Sequence, residues 1–305
     1  MINVAVSGLG NLGKYAIEAL ESTTDMQCVG VIRRPESLGT RQLDLRGVPD
    51  FDSAESMERA VGKPDVMILC CPSRKVCEEA EFYLSRGYNT VDSFDIHSEI
   101  SSTVKRVHEF AIKANRASII SAGWDPGTDS VLRAYFEAMA PVGTTFTNFG
   151  RGRSMGHSVA AKAIKGVKDA VSITIPMGGG RHSRLVYVVL ESGETLSAVT
   201  ERIKADNYFA HDPLQVCEVA DSQALEFVSD ASHGVLLERT GGFGSVSNQQ
   251  FKFDMRINNP ALTSQILVSC ARAVTRMAAG AYTMIDVPPV HLLAGERFNI
   301  IEKLV

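Results

Sequence analysis

The stretch "INVAVSGLGNLGKYAIEALES", residues 2–22, decides the fold. A short apolar run leads into a glycine turn, and a pattern with helical periodicity follows it. Gly8, Gly10 and Gly13 have the G-x-G-x-x-G spacing: the first permits a tight turn, the second lets a pyrophosphate approach the backbone, and the third lets helix and strand pack closely. Unpaired N–H groups at the helix start favour a phosphate. The stretch predicts a dinucleotide-binding strand, turn and helix; the alternative is a glycine turn without a ligand.

The next apolar segment, "CVGVIRR" (residues 28–34), is expected to end near the ribose of such a dinucleotide. NAD-dependent enzymes usually carry Asp or Glu there, ~20 residues after the glycines, to bind the ribose 2′-hydroxyl. This chain has Arg33 and Arg34 instead, and guanidinium groups suit a 2′-phosphate. The sequence therefore favours NADP as cofactor. The alternative is that both arginines are solvated surface residues.

Strand and helix patterns continue to alternate after this segment. "PDVMILCCPS" (64–73) is a continuous apolar run typical of a buried parallel strand. Helix-then-strand patterns recur in "EEAEFYLSRGYNTVDSFDIH" (78–97) and "EFAIKANRASIISAGWDPG" (109–127). We therefore predict an α/β, Rossmann-type doubly wound parallel sheet in a dinucleotide-binding domain over residues 1–122. Ligands bind beyond the carboxyl ends of such strands, so both acid-bearing segments, "DSFDIH" and "GWDPG", are expected at the ligand site.

Residues 123–262 have a different pattern. Several β-rich segments occur there, namely "TFTNFG", "AVSITIP", "RLVYVVLES" and "FKFDMRINN". They predict a smaller α+β domain with a mixed sheet that serves substrate binding and dimerisation. The helical pattern "LTSQILVSCARAVTRMAAG" (262–280) contains small residues that permit close packing. We expect the helical segment 263–305 to pack back on the first domain.

Length and composition exclude some classes of protein. A chain of 305 residues is long for one hydrophobic core, which favours two domains. The formal net charge of −4 argues against nucleic acid or an anionic membrane as the main partner. Apolar runs are shorter than the ~20 residues that span a bilayer, and "MINVAVSGLG" lacks the basic region of a signal peptide. The 6 cysteines show neither a CxxC pair nor zinc-type spacing, so we predict reduced thiols, a cytoplasmic location and no metal.

The single tryptophan of the chain, Trp124, lies in "SAGWDPGTDS" (121–130), among small and turn-forming residues and next to Asp125. A core tryptophan would normally lie inside an apolar periodic run. We therefore predict that this indole faces a ligand at the nicotinamide edge of the site. The alternative is a packing role for the indole.

In these motifs the chain resembles the meso-diaminopimelate dehydrogenase family, whose members use NADP. The resemblance runs nearly end to end, and the segments that carry it are "GLGNLG", "IRR", "VDSFDIH", "SAGWDPG", "GHSVAAKAIKGVKDAVSITIP", "TGG" and "NNPALTSQI". It implies oxidative deamination of the D-centre of meso-2,6-diaminopimelate to L-2-amino-6-oxopimelate. Ammonia and NADPH are the other products, and the reaction belongs to diaminopimelate and lysine biosynthesis. It further implies a homodimer acting on a small-molecule substrate.

The resemblance also assigns roles to individual residues. The implied cofactor-binding set is Gly8, Gly10, Asn11, Leu12, Gly13, Ile32, Arg33, Arg34, Cys70, Cys71, Pro72, Ser73, Ser93, Phe94, Asp95, Ser121, Ala122, Gly123, Trp124 and Asp125. The implied catalytic set is Asp95, Asp125 and Trp124, with the two acids at the reacting amino end. The implied substrate-binding set adds Phe149, Met155, Gly156, Thr174, Arg184, His233 and Asn259 to those acids.

Two of these positions depart from the family pattern. Phe149 stands where a tryptophan is usual, and Met155 stands where a glutamine is usual; a thioether cannot replace the hydrogen bonds of an amide. Two alternatives therefore stay open: an NADP-dependent D-amino acid or amine dehydrogenase of relaxed specificity, and a non-catalytic NADP-binding sensor. A reductase of the dihydrodipicolinate type is disfavoured because it lacks the "GWDPG" turn.

Arg184 is the strongest candidate for binding the distal carboxylate of the substrate, because a guanidinium pairs with a carboxylate through two hydrogen bonds. Thr174, His233 and Asn259 would supply a hydroxyl, an imidazole and an amide. The alternative for Arg184 is an ordinary surface arginine.

Overall fold

The computed structural model describes residues 1–206, 209–210, 212–228 and 232–305. The chain forms two compact units: the first comprises Met1–Ala134 and Pro260–Val305, and the second comprises Tyr135–Asn259. The first unit extends beyond the expected boundary at residue 122 because Trp124 and Val131 pack against its core. The tryptophan turn thus belongs to the nucleotide-type unit.

The elements alternate in the first part of the chain and become mainly β in the middle. In chain order they are β1 (Ile2–Ser7), α1 (Asn11–Glu21), β2 (Met26–Ile32), α2 (Gln42–Leu45), β3 (Asp50–Phe51), α3 (Ala54–Val61), β4 (Val66–Leu69), α4 (Ser73–Ser85), β5 (Asn89–Asp92), α5 (Ile100–Ala114), β6 (Ala117–Ile119), α6 (Thr128–Met139), β7 (Val142–Phe149), β8 (Gly152–Arg153), α7 (Met155–Lys162), β9 (Val167–Gly178), β10 (Arg181–Leu190), α8 (Leu196–Ala205), β11 (Leu214–Glu218), α9 (Ser222–Val228), β12 (Ser232–Phe243), β13 (Val246–Asn258), α10 (Asn259–Val274), β14 (Gly280–Tyr282), α11 (Pro289–Leu292) and α12 (Arg297–Leu304). Short 3₁₀ turns occur at Pro35–Ser37, His97–Glu99 and Met284–Asp286.

The first unit is built on a 7-stranded parallel sheet with the order β3-β2-β1-β4-β5-β6-β14. The strand order reverses between β1 and β4, which is the position where doubly wound sheets bind ligands. Side chains alternate between two buried layers: Val4 and Val6 belong to one apolar cluster, and Ala5 belongs to the other. The predicted Rossmann-type fold class is confirmed.

Helix α10 packs against the first of these layers. Ile266, Leu267 and Val268 are buried in the same cluster as Val4 and Val6. The hydroxyl of Ser264 donates to the Leu12 carbonyl at 2.8 Å. The Arg272 guanidinium pairs with Asp25, with Nη2 to Oδ1 at 2.8 Å. The segment that follows the second unit therefore completes the core of the first.

The second unit contains two sheets. One has 4 strands in the order β11-β10-β9-β8, and the other has 3 strands in the order β13-β12-β7. Within the 4-stranded sheet β10 pairs parallel with β11 and antiparallel with β9, so the sheet is mixed. The expected α+β architecture with a mixed sheet is confirmed. Among the described residues, no helix has the length and apolar character required to cross a membrane.

Candidate functional site

A cleft of about 1080 Å³ opens in the first unit, and its walls include the carboxyl ends of β1 and β2 and the segment that follows β4. This is the switch point of the sheet, where the sequence predicts a dinucleotide. Of the residues expected to bind the cofactor, those lining the cleft are Gly8, Gly10, Ile32, Arg33, Arg34, Cys70, Cys71 and Pro72.

The glycine turn has the geometry that a pyrophosphate requires. A Cβ built on Gly13 would lie 2.1 Å from the Gly8 carbonyl oxygen, so only glycine permits this packing of α1. A Cβ on Gly10, in contrast, would meet nothing within 4 Å among the described residues, which leaves the backbone open to the cleft. Gly10 caps α1 without a side-chain hydrogen bond, so N–H groups of the first turn are available to an anion. The turn fits a dinucleotide.

The two arginines after β2 have different roles in the structure. Arg33 is 8% exposed, and its Nη1 donates to Asp50 Oδ2 at 2.8 Å and to the Thr40 carbonyl at 2.9 Å. Its Nη2 donates to the Thr40 hydroxyl at 2.9 Å. The Arg34 side chain is 83% exposed, with Glu36 3.5 Å away. Arg33 therefore stabilises the loop that follows β2, and Arg34 is the arginine of the two that is accessible to a ligand.

Arg41 lines the same cleft and was missed by sequence reasoning. Its Nη1 donates to the Leu9 carbonyl of the glycine turn at 2.6 Å, and its Nε donates to Asp44 at 2.7 Å. Other unpredicted lining residues are Ser37, Thr40, Asp52, Ser53, Glu55 and Lys75. They come from loops and helix starts, where periodicity carries no signal.

Asp92, at the end of β5, ties together the two acid-bearing segments. Its Oδ1 accepts hydrogen bonds from the backbone N–H groups of Phe94 at 2.9 Å and Ser121 at 3.2 Å. Its carbonyl accepts from the Ala122 N–H at 2.7 Å. Burial raises the pKa of this carboxyl to about 6. The sequence located Asp92 at the strand end but did not indicate this positioning role.

Asp95 lies just beyond, and it is exposed. The hydroxyl of Ser73, at the start of α4, donates to its Oδ1 at 2.6 Å. The Asp95 carboxylate is therefore oriented by Ser73, which follows the neighbouring strand β4, and it stays accessible to a ligand. Ser93 and Phe94 lie between Asp92 and Asp95, and Phe94 is buried in the core.

The segment 123–127 is a tight turn that leads directly into α6. The Gly123 N–H donates to the Pro126 carbonyl at 3.0 Å, and the Asp129 N–H donates to the Trp124 carbonyl at 2.9 Å. A Cβ on Gly127 would lie 1.8 Å from the Gly123 carbonyl oxygen, so the turn requires glycine at this position. The Trp124 indole is partly buried against the first unit's core, so part of its surface has a packing role.

Two aspartates share one arginine at the start of α6. Arg133 Nη1 donates to Asp125 Oδ1 at 3.0 Å, and Arg133 Nη2 lies 3.8 Å from Asp129 Oδ2. The Asp125 side chain is 4% exposed, and that of Asp129 is fully buried. Burial and the negative charge of Asp125 raise the pKa of Asp129 to about 7, against the opposing effect of Arg133. The sequence indicated Asp125 but gave no sign of this cluster.

In the second unit the structure brings Thr174 and Arg184 together. They are directly opposed in the β9–β10 ladder, and an Arg184 Nη1 hydrogen bond reaches the Thr174 hydroxyl. Arg184 Nε donates to Asp212 Oδ2 at 2.6 Å, and the arginine side chain is 13% exposed. Arg184 is therefore a mostly buried guanidinium with a carboxylate and a hydroxyl as partners rather than an ordinary surface arginine.

Phe149 and His233 lie near each other at one end of the 3-stranded sheet. Phe149 is opposite Val235, and the Gly150 N–H donates to the Gly234 carbonyl at 2.7 Å. Burial lowers the pKa of His233. Asn259 is the first residue of α10. Met155 and Gly156 begin α7, and their side chains lie outside the described part of the structure.

The buried Asp129 gives a testable dependence of stability on pH. Because its folded pKa of about 7 lies above the ordinary aspartate pKa of 3.8, its contribution to stability is present below about pH 4 and is lost as pH rises through 7. Asp129→Asn removes this loss. We expect the Tm of the variant to exceed that of the unsubstituted protein by ~5 °C or more at pH 8, with little difference at pH 4. Thermal melts at both pH values measure this, and a Tm difference independent of pH would contradict it.

Comparisons with known proteins agree with this geometry. A family model described as the diaminopimelic acid dehydrogenase C-terminal domain matches residues 123–180. The meso-diaminopimelate D-dehydrogenase of Bacteroides fragilis is 46% identical over 306 residues, covering 100% of this chain and 99% of that one. The structure of the Corynebacterium glutamicum diaminopimelate dehydrogenase in complex with diaminopimelate is 28% identical with a TM-score of 0.73, covering 100% of this chain and 99% of that one. An engineered D-amino acid dehydrogenase bound to NADP⁺ is 27% identical with a TM-score of 0.70, with the same coverage.

The doubly wound sheet, the glycine turn and the cleft at the switch point define a Rossmann-type nucleotide-binding protein. The similarity over the whole chain is more specific. The chain belongs to the meso-diaminopimelate D-dehydrogenase family, whose members are oxidoreductases.

Proposed function

We propose that the protein catalyses the NADP-dependent, reversible oxidative deamination of the D-centre of meso-2,6-diaminopimelate, giving L-2-amino-6-oxopimelate, ammonia and NADPH. The observation that carries the proposal is the set of hydrogen bonds by which Asp92 joins two segments at the carboxyl ends of the strands. It holds the segment bearing Asp95 beside the segment bearing Trp124 and Asp125. Two acids are thereby positioned on adjacent strand ends, where a doubly wound fold presents its reacting groups.

The cleft supplies the parts that a dinucleotide needs. The glycine turn would hold the pyrophosphate, Arg34 would pair with a 2′-phosphate, and Arg33 would keep the connecting loop in place through Asp50 and Thr40. When bound, NADP supplies the hydride acceptor of the reaction. The structure of a similar engineered dehydrogenase with NADP⁺ supports this choice of cofactor.

The two acids account for the amine chemistry. The substrate enters as an ammonium, and its Cα–H bond can release a hydride only after the nitrogen has lost a proton. Asp95 and Asp125 would anchor the ammonium and accept that proton, directly or through water. Loss of the hydride leaves an iminium carbon, water adds to it, and ammonia departs to give the carbonyl product. The Trp124 indole would form an apolar wall that excludes other water from this step.

The distal end of the substrate requires donors for a carboxylate. We propose that Arg184 and Thr174, which are already joined by a hydrogen bond, form the core of this group, with His233 and Asn259 as further donors. Phe149, which is 44% exposed, would contribute apolar surface. A diaminopimelate complex in a structurally similar relative supports this substrate.

Charge reversal at Arg34 tests the cofactor. Because Arg34 is the exposed cation, Arg34→Glu is expected to weaken NADP binding ~10-fold or more and to leave NAD binding nearly unchanged. Arg33→Glu should instead lower the Tm, since it breaks the pair with Asp50. Calorimetric titration with each cofactor measures the first effect. Equal affinity of the unsubstituted protein for NADP and NAD would contradict the NADP assignment.

The family resemblance implies a homodimer, the cysteine pattern predicts a cytoplasmic location, and the second unit offers apolar surface for the dimer. Val142, Phe243 and Val246 are 72%, 50% and 44% exposed at one end of the 3-stranded sheet. Exposed apolar clusters of this kind favour association between proteins. Light scattering on the purified protein is expected to give twice the chain mass, and a monomer at micromolar concentration would refute the assembly.

The reaction itself is tested by its stoichiometry. Incubation with meso-diaminopimelate and NADP is expected to release one ammonia for each NADPH formed. NADP binding without NADPH formation, on any amine tested, would favour the alternative of a non-catalytic sensor. Ammonia and NADPH formed equally well from simple D-amino acids would favour the dehydrogenase of relaxed specificity.

A further inference from the structure

Asp129 is a buried acid to which the proposed reaction assigns no role. Its side chain is fully buried, and neither carboxylate oxygen has a hydrogen-bond partner among the residues that the structure describes. Burying a carboxylate without hydrogen bonds costs several kcal/mol. A packing role alone would be served better by an apolar or amide side chain, so the acid calls for a functional explanation.

Among the residues that the structure describes, the cation close to Asp129 is Arg133, which also contacts Asp125. Arg133 lies 3.0 Å from Asp125 Oδ1 and 3.8 Å from Asp129 Oδ2, so the guanidinium hydrogen-bonds the first acid and is attracted by the second. Within the described part of the chain, Asp125 and Arg133 are the charged groups that act on Asp129. The Asp129 N–H also donates to the Trp124 carbonyl, which ties the acid to the turn that carries Asp125. The three side chains therefore form one electrostatic unit.

A guanidinium at this distance makes a carboxylate a weaker proton acceptor, because it stabilises the ionised form. A second negative charge beside the same guanidinium offsets that effect. This offset requires Asp129 to be ionised. Because burial raises the pKa of Asp129 to about 7, the carboxyl becomes ionised only near neutral pH.

We propose that Asp129 is a positioning residue, which by sharing Arg133 offsets the attraction of that guanidinium for the Asp125 carboxylate while the substrate amine loses its proton. This inference rests on the proposed function, in which Asp125 contacts the reacting nitrogen. Asp129 acts through Arg133 and Asp125 and does not itself contact the substrate. Its effect is confined to the proton-transfer step and leaves cofactor binding unchanged.

The test is the pH dependence of kcat for Asp129→Asn in the oxidative direction with meso-diaminopimelate and NADP. Near pH 6, where Asp129 is largely protonated, the variant should have a kcat within about twofold of the unsubstituted protein. Above pH 8 its kcat should be ~10-fold lower, with KM changed less than kcat, since Asp125 still anchors the ammonium. The NADP dissociation constant should not change at either pH.

A matched control is Asp25→Asn, which removes a carboxylate paired with Arg272 in the same unit and is distant in sequence from the acid-bearing segments "DSFDIH" and "GWDPG". It should lower the Tm without altering the shape of the pH profile. A kcat for Asp129→Asn that equals that of the unsubstituted protein across the range would overturn the inference. So would a loss of kcat that is the same at every pH, which is the signature of a structural role. If the unsubstituted protein turns over no amine, the proposed function fails instead.

Discussion

Asp125→Ala is expected to lower kcat/KM for meso-diaminopimelate by about a hundredfold or more, which is the usual scale for a positioned proton-transfer group. The reason is its place on the "GWDPG" turn, where Arg133 holds the carboxylate at 3.0 Å. Asp95→Ala should have an effect of similar size, because the Ser73 hydroxyl orients that carboxylate. Steady-state kinetics with saturating NADP measure both.

The control for both variants is a carboxylate at the opposite edge of the sheet. Asp65 precedes β4 and accepts a hydrogen bond from the Asn3 N–H at 2.8 Å, so Asp65→Ala can affect stability but should leave the kinetics intact. NADP binding, measured by calorimetry, should survive in all three variants. An Asp125 or Asp95 variant with near-full activity would remove that residue from the amine end of the site.

Arg184→Ala is expected to weaken the use of meso-diaminopimelate ~10²-fold, or about 2–3 kcal/mol, the cost of losing a charged hydrogen-bonding partner. A D-amino acid without a distal carboxylate should lose little. The structure refines this expectation, since one edge of the guanidinium is already committed to Asp212 and Thr174. The measurement is kcat/KM for both substrates in both proteins.

Asp212→Asn is the matched variant, because it leaves Arg184 in place and removes the charge that neutralises it. It should retain most of the preference for diaminopimelate over the simple D-amino acid. If Arg184→Ala instead reduces activity on both substrates alike, the arginine supports the fold, and the distal carboxylate is bound elsewhere.

The parts of the molecule that sequence predicted well are those encoded locally. The close approach of Gly13 to the Gly8 carbonyl lies within one strand–turn–helix unit, so the glycine motif alone predicts this packing. The parallel sheet was predictable because each strand and helix has its own local pattern of apolar residues, although the strands pair with partners distant in sequence.

The parts that sequence could not predict depend on long-range contacts. Arg33 and Arg34 are adjacent residues with the same side chain. Their roles differ because Asp50, in another strand, accepts a hydrogen bond from Arg33. Asp129 looks like an ordinary first-turn acid, since helices often begin with one. Its burial and the sharing of Arg133 exist only in the folded chain.

The domain boundary shows the same distinction. The pattern changes from alternating strands and helices to β-rich segments in residues 123–262, and this change predicts a domain boundary at residue 123. The first compact unit nevertheless runs to Ala134, because Trp124 and Val131 contribute to its core. The change in secondary-structure pattern therefore predicts where the β-rich part of the chain begins. The unit to which the tryptophan turn belongs depends on side-chain packing, which the pattern does not show.

The most direct test of the central claim is the rate of NADPH formation, followed at 340 nm, with the stereoisomers of diaminopimelate as substrates. The chain belongs to the meso-diaminopimelate D-dehydrogenase family, and the meso isomer offers a reacting D-amine together with a distal L-amino acid group. We predict that kcat/KM for the meso isomer exceeds that for the L,L isomer and for simple D-amino acids by ~10²-fold or more. Equal rates with the L,L isomer, or faster turnover of simple D-amino acids, would contradict the account.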